Sequence, residues 1–248
     1  MTETELDHLP VPDELRRALA GDYADRTRVV DGQRVRVDLD WWNTSLVKLG
    51  APGGCLWVDG TDTGQVDVTR AHVFAAADKG VWPLLWLSMA WATGSRRRLV
   101  HKRMRAAAAD PERYAAALTA AARAAADAPE HAYALLYPGD RSLVPTLGPS
   151  FFTKFLYFAG AGNPVHRSRI LDSRVARSLH RAGWRSLKTG GAWPARTYGR
   201  YTGLLDDWTR TLGDELGHPV AADTVERWLF DQGVSAPRPE RRELVGDA

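Results

Sequence analysis

Apolar residues recur along most of this chain at spacings of three and four, the period that lines one face of a helix. The densest run, WPLLWLSMAWAT from Trp82 to Thr93, is apolar all the way round and predicts a buried central helix. Gly94 and Ser95 stop it. Asp110-Pro111 then opens an alanine-rich helix to about Ala126, with proline suited to a first helical turn. Shorter helices are predicted at Pro12 to Ala20, from a cap at Asp40 to Leu49, from Asp67 or Thr69 through Phe74, and at Pro129 to Tyr137. Beyond Pro149 the pattern predicts helices near Asp172 to Ala182, Ala195 to Leu212 and Ala221 to Gln232. Strict alternation is confined to RVRVDLD, Arg34 to Asp40, a short strand at most. The expected fold is all-α, with little or no β-structure near the N-terminus.

No repeat or long linker divides the chain. The expected organisation is a loosely ordered segment 1–35, a single helical domain 36–232 and a flexible tail 233–248. With no apolar run of membrane length and an acidic N-terminus, MTETELDH, the expected location is cytoplasmic, nucleoid-associated in a bacterium. The single cysteine, Cys55, excludes an internal disulfide and any four-cysteine cluster. No metal, cofactor, membrane or obligate protein partner is indicated. A net charge of +3 is too small to imply nucleic acid, but the basic residues cluster. Two runs stand out, Arg96 to Arg105 (RRRLVHKRMR) and His166 to Arg181, and both are candidates for a DNA-facing strip.

Candidate chemistry concentrates in LGPSFFTKFLYFAG, Leu147 to Gly160, and in ILDSR, Ile170 to Arg174. A turn with glycine opens an apolar helix carrying Phe151, Phe155 and Phe158 on one face, and an isolated acid then stands at the start of the next helix. This order resembles the hairpin and catalytic aspartate of the helix-hairpin-helix DNA glycosylases, most closely the 8-oxoguanine glycosylase branch. The direct resemblance covers about Pro145 to Leu179. It implies a two-lobed helical fold, double-stranded DNA as partner, and cleavage of the N-glycosidic bond of a damaged or modified base such as an oxidised purine.

In the resemblance the turn is hydrophobic-Gly-hydrophobic-Gly. Here Thr146, Leu147 and Gly148 occupy its last three positions, so threonine replaces the first glycine. Thr146, Gly148 and Ser150 would meet a DNA phosphate through backbone N–H groups at a helix N-terminus. Arg174, Arg177, Arg97 and Lys102 would add phosphate contacts. Asp172 would stabilise the cationic sugar that forms as the bond breaks; it also suits a helix N-cap. Bifunctional members use a lysine that attacks C1′ as a Schiff-base nucleophile. The alignment puts Ser150 at that position and Lys154 one turn further on. Lys154 has therefore taken over the role, or the enzyme is monofunctional and uses water with Asp172, or catalysis is lost. The reading leans to the water route, because one turn displaces the amine by about 6 Å. Phe151, Trp193 and Trp228 are the candidates for walls of a flipped-base pocket. The rival readings are a non-catalytic DNA reader of the same fold and an enzyme acting on a free nucleoside or other small molecule.

Overall fold

The computed structural model describes residues 9–234. Helices dominate it, beside one small two-stranded sheet. The described residues open with α1 (Asp13–Leu19) and a π-helical turn (Thr27–Asp31). From residue 9 onward the segment is packed, unlike the loose order expected for 1–35, of which residues 1–8 lie outside the described residues. Leu9, Val11, Leu15, Leu19 and Val30 are buried, and the Trp208 indole N–H donates to the Leu9 carbonyl at 2.8 Å. Arg26 pairs with Asp223 at 2.6 Å, tying the segment to the far end of the sequence. Leu9, Val11, Leu15 and Leu19 join the shared core, which a local pattern cannot reveal. The expected tail falls, beyond Val234, outside the described residues.

Strand β1 (Arg34–Asp38) pairs antiparallel with β2 (Gln65–Thr69), in register Val35 to Val68 and Val37 to Val66. Val37 and Val68 are buried, so the alternation expected for β1 is present. β2 was not expected; QVDVT is too short to announce itself beside the helix that follows. Asp38, not Asp40, caps α2 (Leu39–Lys48), accepting from the Trp41 amide. Thr69 does cap α3 (Arg70–Phe74), its hydroxyl and the His72 ring exchanging hydrogen bonds with each other's amides.

The apolar run forms α4 (Val81–Thr93), which packs against α3, β1 and two later helices. Gly94, at φ +52°, ends it. The basic run is only partly helical: the chain stays irregular to Leu99 and then forms α5 (Val100–Ala109). Then follow α6 (Pro111–Ala124), α7 (Pro129–Leu136), α8 (Pro149–Phe158), α9 (Ser173–Arg181), α10 (Ala195–Leu216) and α11 (Ala222–Gln232). α8 lies on α4, α7 on α6 and α10, and α9 on α11. Gly233 lets the end of α11 approach the start of α9, because a Cβ there would lie 2.1 Å from the Arg174 carbonyl oxygen. No helix among the described residues is long and apolar enough to cross a membrane.

A buried polar cluster fixes α8 relative to α11. Arg70 pairs with Glu226 at 2.7 Å, both almost wholly buried, and its guanidinium lies over the rings of Trp91 and Tyr157. The Tyr157 hydroxyl donates to Asp223 at 3.0 Å. Buried charges of this kind are costly to leave unpaired, so the partners fix one arrangement of the helices. Tyr157 stands three residues beyond Lys154 on α8, and α11 supports α9, which begins just after Asp172.

Candidate functional site

Lys154 and Asp172 meet. The Lys154 ammonium lies 3.2 Å from Asp172 Oδ2 and donates at 2.8 Å to the Ser150 carbonyl one turn back. The side chains are 8% and 13% exposed, so the lysine is not the solvated residue its sequence setting could equally suggest. Asp172 Oδ1 accepts from the Arg174 and Val175 amides at 2.9 and 3.2 Å and so caps α9. Burial works against the carboxylate, but the Lys154 charge and the two amide donors outweigh it and hold the Asp172 pKa below its ordinary value. The cap and the ion pair use different oxygens, and one residue fills both roles.

The segment before Asp172 is held from two sides. The Thr153 hydroxyl accepts from the Leu171 amide at 3.3 Å, while its proton is shared between the Pro149 and Leu171 carbonyls at 2.8 and 3.2 Å. From α10, Tyr198 donates to the Arg169 carbonyl at 2.8 Å and Tyr201 to that of Ile170 at 2.7 Å. Ser168 adds a bond to the Ala125 carbonyl. These residues set the approach of Asp172 to Lys154, and sequence reasoning missed them. The available signals were the polar Thr153 inside a phenylalanine-rich helix and two tyrosines three apart on one face of α10.

The turn before α8 has a left-handed residue where the resemblance has its first glycine. Thr146 adopts φ +68°, a region that glycine enters freely and a threonine does not. Its hydroxyl is buried without a partner among the described residues, and its carbonyl accepts from Arg103 Nε at 2.9 Å. Gly148 is extended (φ −79°, ψ 175°) and forms the N-cap of α8. A Cβ built there meets nothing within 4 Å, so its surface is open. Ser150, on the first turn of α8, contributes its carbonyl to Lys154 rather than a nucleophile.

The other candidate residues divide. Arg174 is exposed at the start of α9, its guanidinium 4.6 Å from the centre of the Phe230 ring, and Lys102 is exposed on α5. Arg177 is committed to the Gly233 carbonyl. Arg97 is occupied by Asp38 at 2.6 Å and by the face of Trp41. These two stabilise the fold locally and are not free cations. Phe151 is half-buried beside the turn, with Arg103 over its ring at 3.9 Å. Trp193 and Trp228, the other candidate pocket walls, are both buried in the core. Trp193 is 1% exposed, and its indole N–H is satisfied by the Lys188 carbonyl. Trp228 is buried on α11.

The profile of the family described as "Putative 8-oxoguanine DNA glycosylase OGG-like protein" matches residues 28–230. The chain belongs to this family. The matched span contains the turn, Lys154, Thr153, Asp172 and the α10 tyrosines. No curated protein and no solved structure matches the chain.

Proposed function

We propose that this chain is a helix-hairpin-helix DNA glycosylase that releases an oxidised purine from duplex DNA and uses Lys154 as its nucleophile. The observation that carries this reading is the buried Lys154–Asp172 pair, an amine and a carboxylate 3.2 Å apart beside an open turn at a helix N-terminus. As the glycosidic bond opens, positive charge develops on the sugar, and the fixed carboxylate of Asp172 opposes it at no cost in reorganisation. The departing base leaves with the bonding electron pair and takes up a proton. Lys154, once it has given up a proton, forms the new bond to C1′. Opening of the sugar ring then leaves an iminium linking lysine to DNA, the species from which strand cleavage proceeds.

The lysine route is supported over the water route by one feature: although Lys154 stands a helical turn from Ser150, its side chain is the one beside the aspartate. Glycosylase and lyase steps separate in one experiment. A duplex with 8-oxoguanine is incubated with the protein and borohydride, and the adduct is compared with that of Lys154→Ala. The expected result is a covalent adduct with the parent and none with the variant. Base release without an adduct would return the mechanism to water and Asp172. Duplex binding with no base release from any lesion would make the protein a reader of DNA.

A further inference from the structure

Arg103 on α5 is a buried cation beside the turn, 4% exposed, and among the described residues no carboxylate pairs with it. Its Nε donates to the Thr146 carbonyl at 2.9 Å and Nη1 reaches the Arg98 carbonyl at 3.4 Å. The guanidinium plane covers the ring of Phe151, on the first turn of α8, at 3.9 Å. It therefore sits between the left-handed residue of the turn and the N-terminal turn of the helix. Burial without a counter-charge pulls its pKa down to about 10. Of the other buried arginines, Arg70 has Glu226, while Arg169 is held by the Ser168 and Pro164 carbonyls away from the turn. An uncompensated buried charge is retained against a substantial desolvation cost, and a ligand anion relieves that cost.

Resting on the DNA reading of the site, we propose that Arg103 is the fixed counter-charge for a DNA backbone phosphate held over the turn 146–150. Three features converge there. At the α8 N-terminus the Gly148 and Ser150 N–H groups take no partner among the described residues, and the helix dipole adds positive potential there. The space beyond Gly148 is empty to at least 4 Å from a Cβ. Arg103 supplies a full charge behind them, and through Thr146 it holds the turn in the conformation that a first glycine would otherwise adopt alone. Arg103 is thus a positioning residue for binding and takes no part in bond breaking.

Two substitutions separate charge from geometry. Arg103→Gln keeps an N–H donor for the Thr146 carbonyl and removes the charge; Arg103→Lys keeps the charge and loses the planar fork. Affinity for an undamaged duplex is measured against salt concentration, together with thermal melting of each protein. Arg103→Gln is expected to bind about tenfold or more weakly at low salt, its log K–log salt slope shallower by about 0.9, one phosphate contact. Arg103→Lys is expected to keep the parent slope. A parent slope in Arg103→Gln, or a slope lost in a folded Arg103→Lys, would overturn the assignment and leave Arg103 as a brace for the turn. If Arg103→Gln does not fold, the Arg103→Lys slope alone decides. A parent protein without salt-dependent duplex binding would instead remove the DNA reading itself.

Discussion

Replacing Asp172 by asparagine removes the charge opposite Lys154 while leaving an oxygen to accept from the Arg174 and Val175 amides, so the α9 cap survives. The ammonium, 8% exposed, is then left with the Ser150 carbonyl and a neutral amide. Removing one partner of a fully buried pair costs about 3–5 kcal/mol, and the residual exposure of this one lowers the expectation to about 2–3 kcal/mol. Lys154→Met should cost less, about 1–2 kcal/mol, because the carboxylate keeps two amide donors. The double variant removes both charges and both desolvation penalties, so its cost should also be about 1–2 kcal/mol. The coupling energy is therefore about 2–3 kcal/mol, within the range for residues in direct contact. Urea unfolding of the four proteins gives this number if the slopes with denaturant agree. Costs that add to within about 0.5 kcal/mol would refute a coupled pair. The same Asp172→Asn protein should release base at least about 10²-fold more slowly while still binding duplex. Base release at the parent rate would reduce Asp172 to a helix cap.

The depressed Asp172 pKa links the pair to acid stability. Its contribution is fully present above the unfolded carboxylate value of about 3.9 and is lost as pH falls through the lower folded value, so the stability gap between parent and Asp172→Asn should close there. A gap unchanged down to pH about 2 would contradict this. Thr146→Gly relieves a left-handed threonine at φ +68° and gives back part of the gain as chain entropy, so it should raise stability by about 0.5–1 kcal/mol, read as a higher melting temperature. A lower one would mean that the threonine side chain holds the turn. Gly148→Val meets no neighbouring atom and should leave melting unchanged, while weakening all duplexes alike, damaged or not. A loss confined to one lesion would place Gly148 at the base instead of the phosphate.

The sequence was most legible where one element's own pattern decides its fate. α4 is apolar on every side and becomes the central helix; Pro111 and Pro129 begin α6 and α7, and Asp172 caps α9 as its position suggested. Legibility failed where the partner lies far away in sequence. β2 is five residues whose two valines acquire meaning only opposite Val35 and Val37. The segment from Leu9 is ordered by Trp208, Glu215 and Asp223, roughly two hundred residues on. The same limit explains Arg97, which looks like a free cation in a basic run until Asp38 and Trp41 are seen against it.

At the site, residue types were readable and their distances were not. Aligning FLYFAG with the family's equivalent segment puts the nucleophile position at Ser150, four residues from the only lysine of the helix. Spacing along a chain counts residues, whereas chemistry depends on where the side chain's end arrives. Lys154 leans back one turn along α8 to reach the Ser150 carbonyl, as helical side chains do. That lean directs its amine towards the N-terminal end of the helix, and there Thr153 clamps the strand leading to Asp172. On the proposed reading Lys154 is the amine that acts at C1′, and its separation from the Asp172 carboxylate, 3.2 Å, is then the quantity on which the reaction depends.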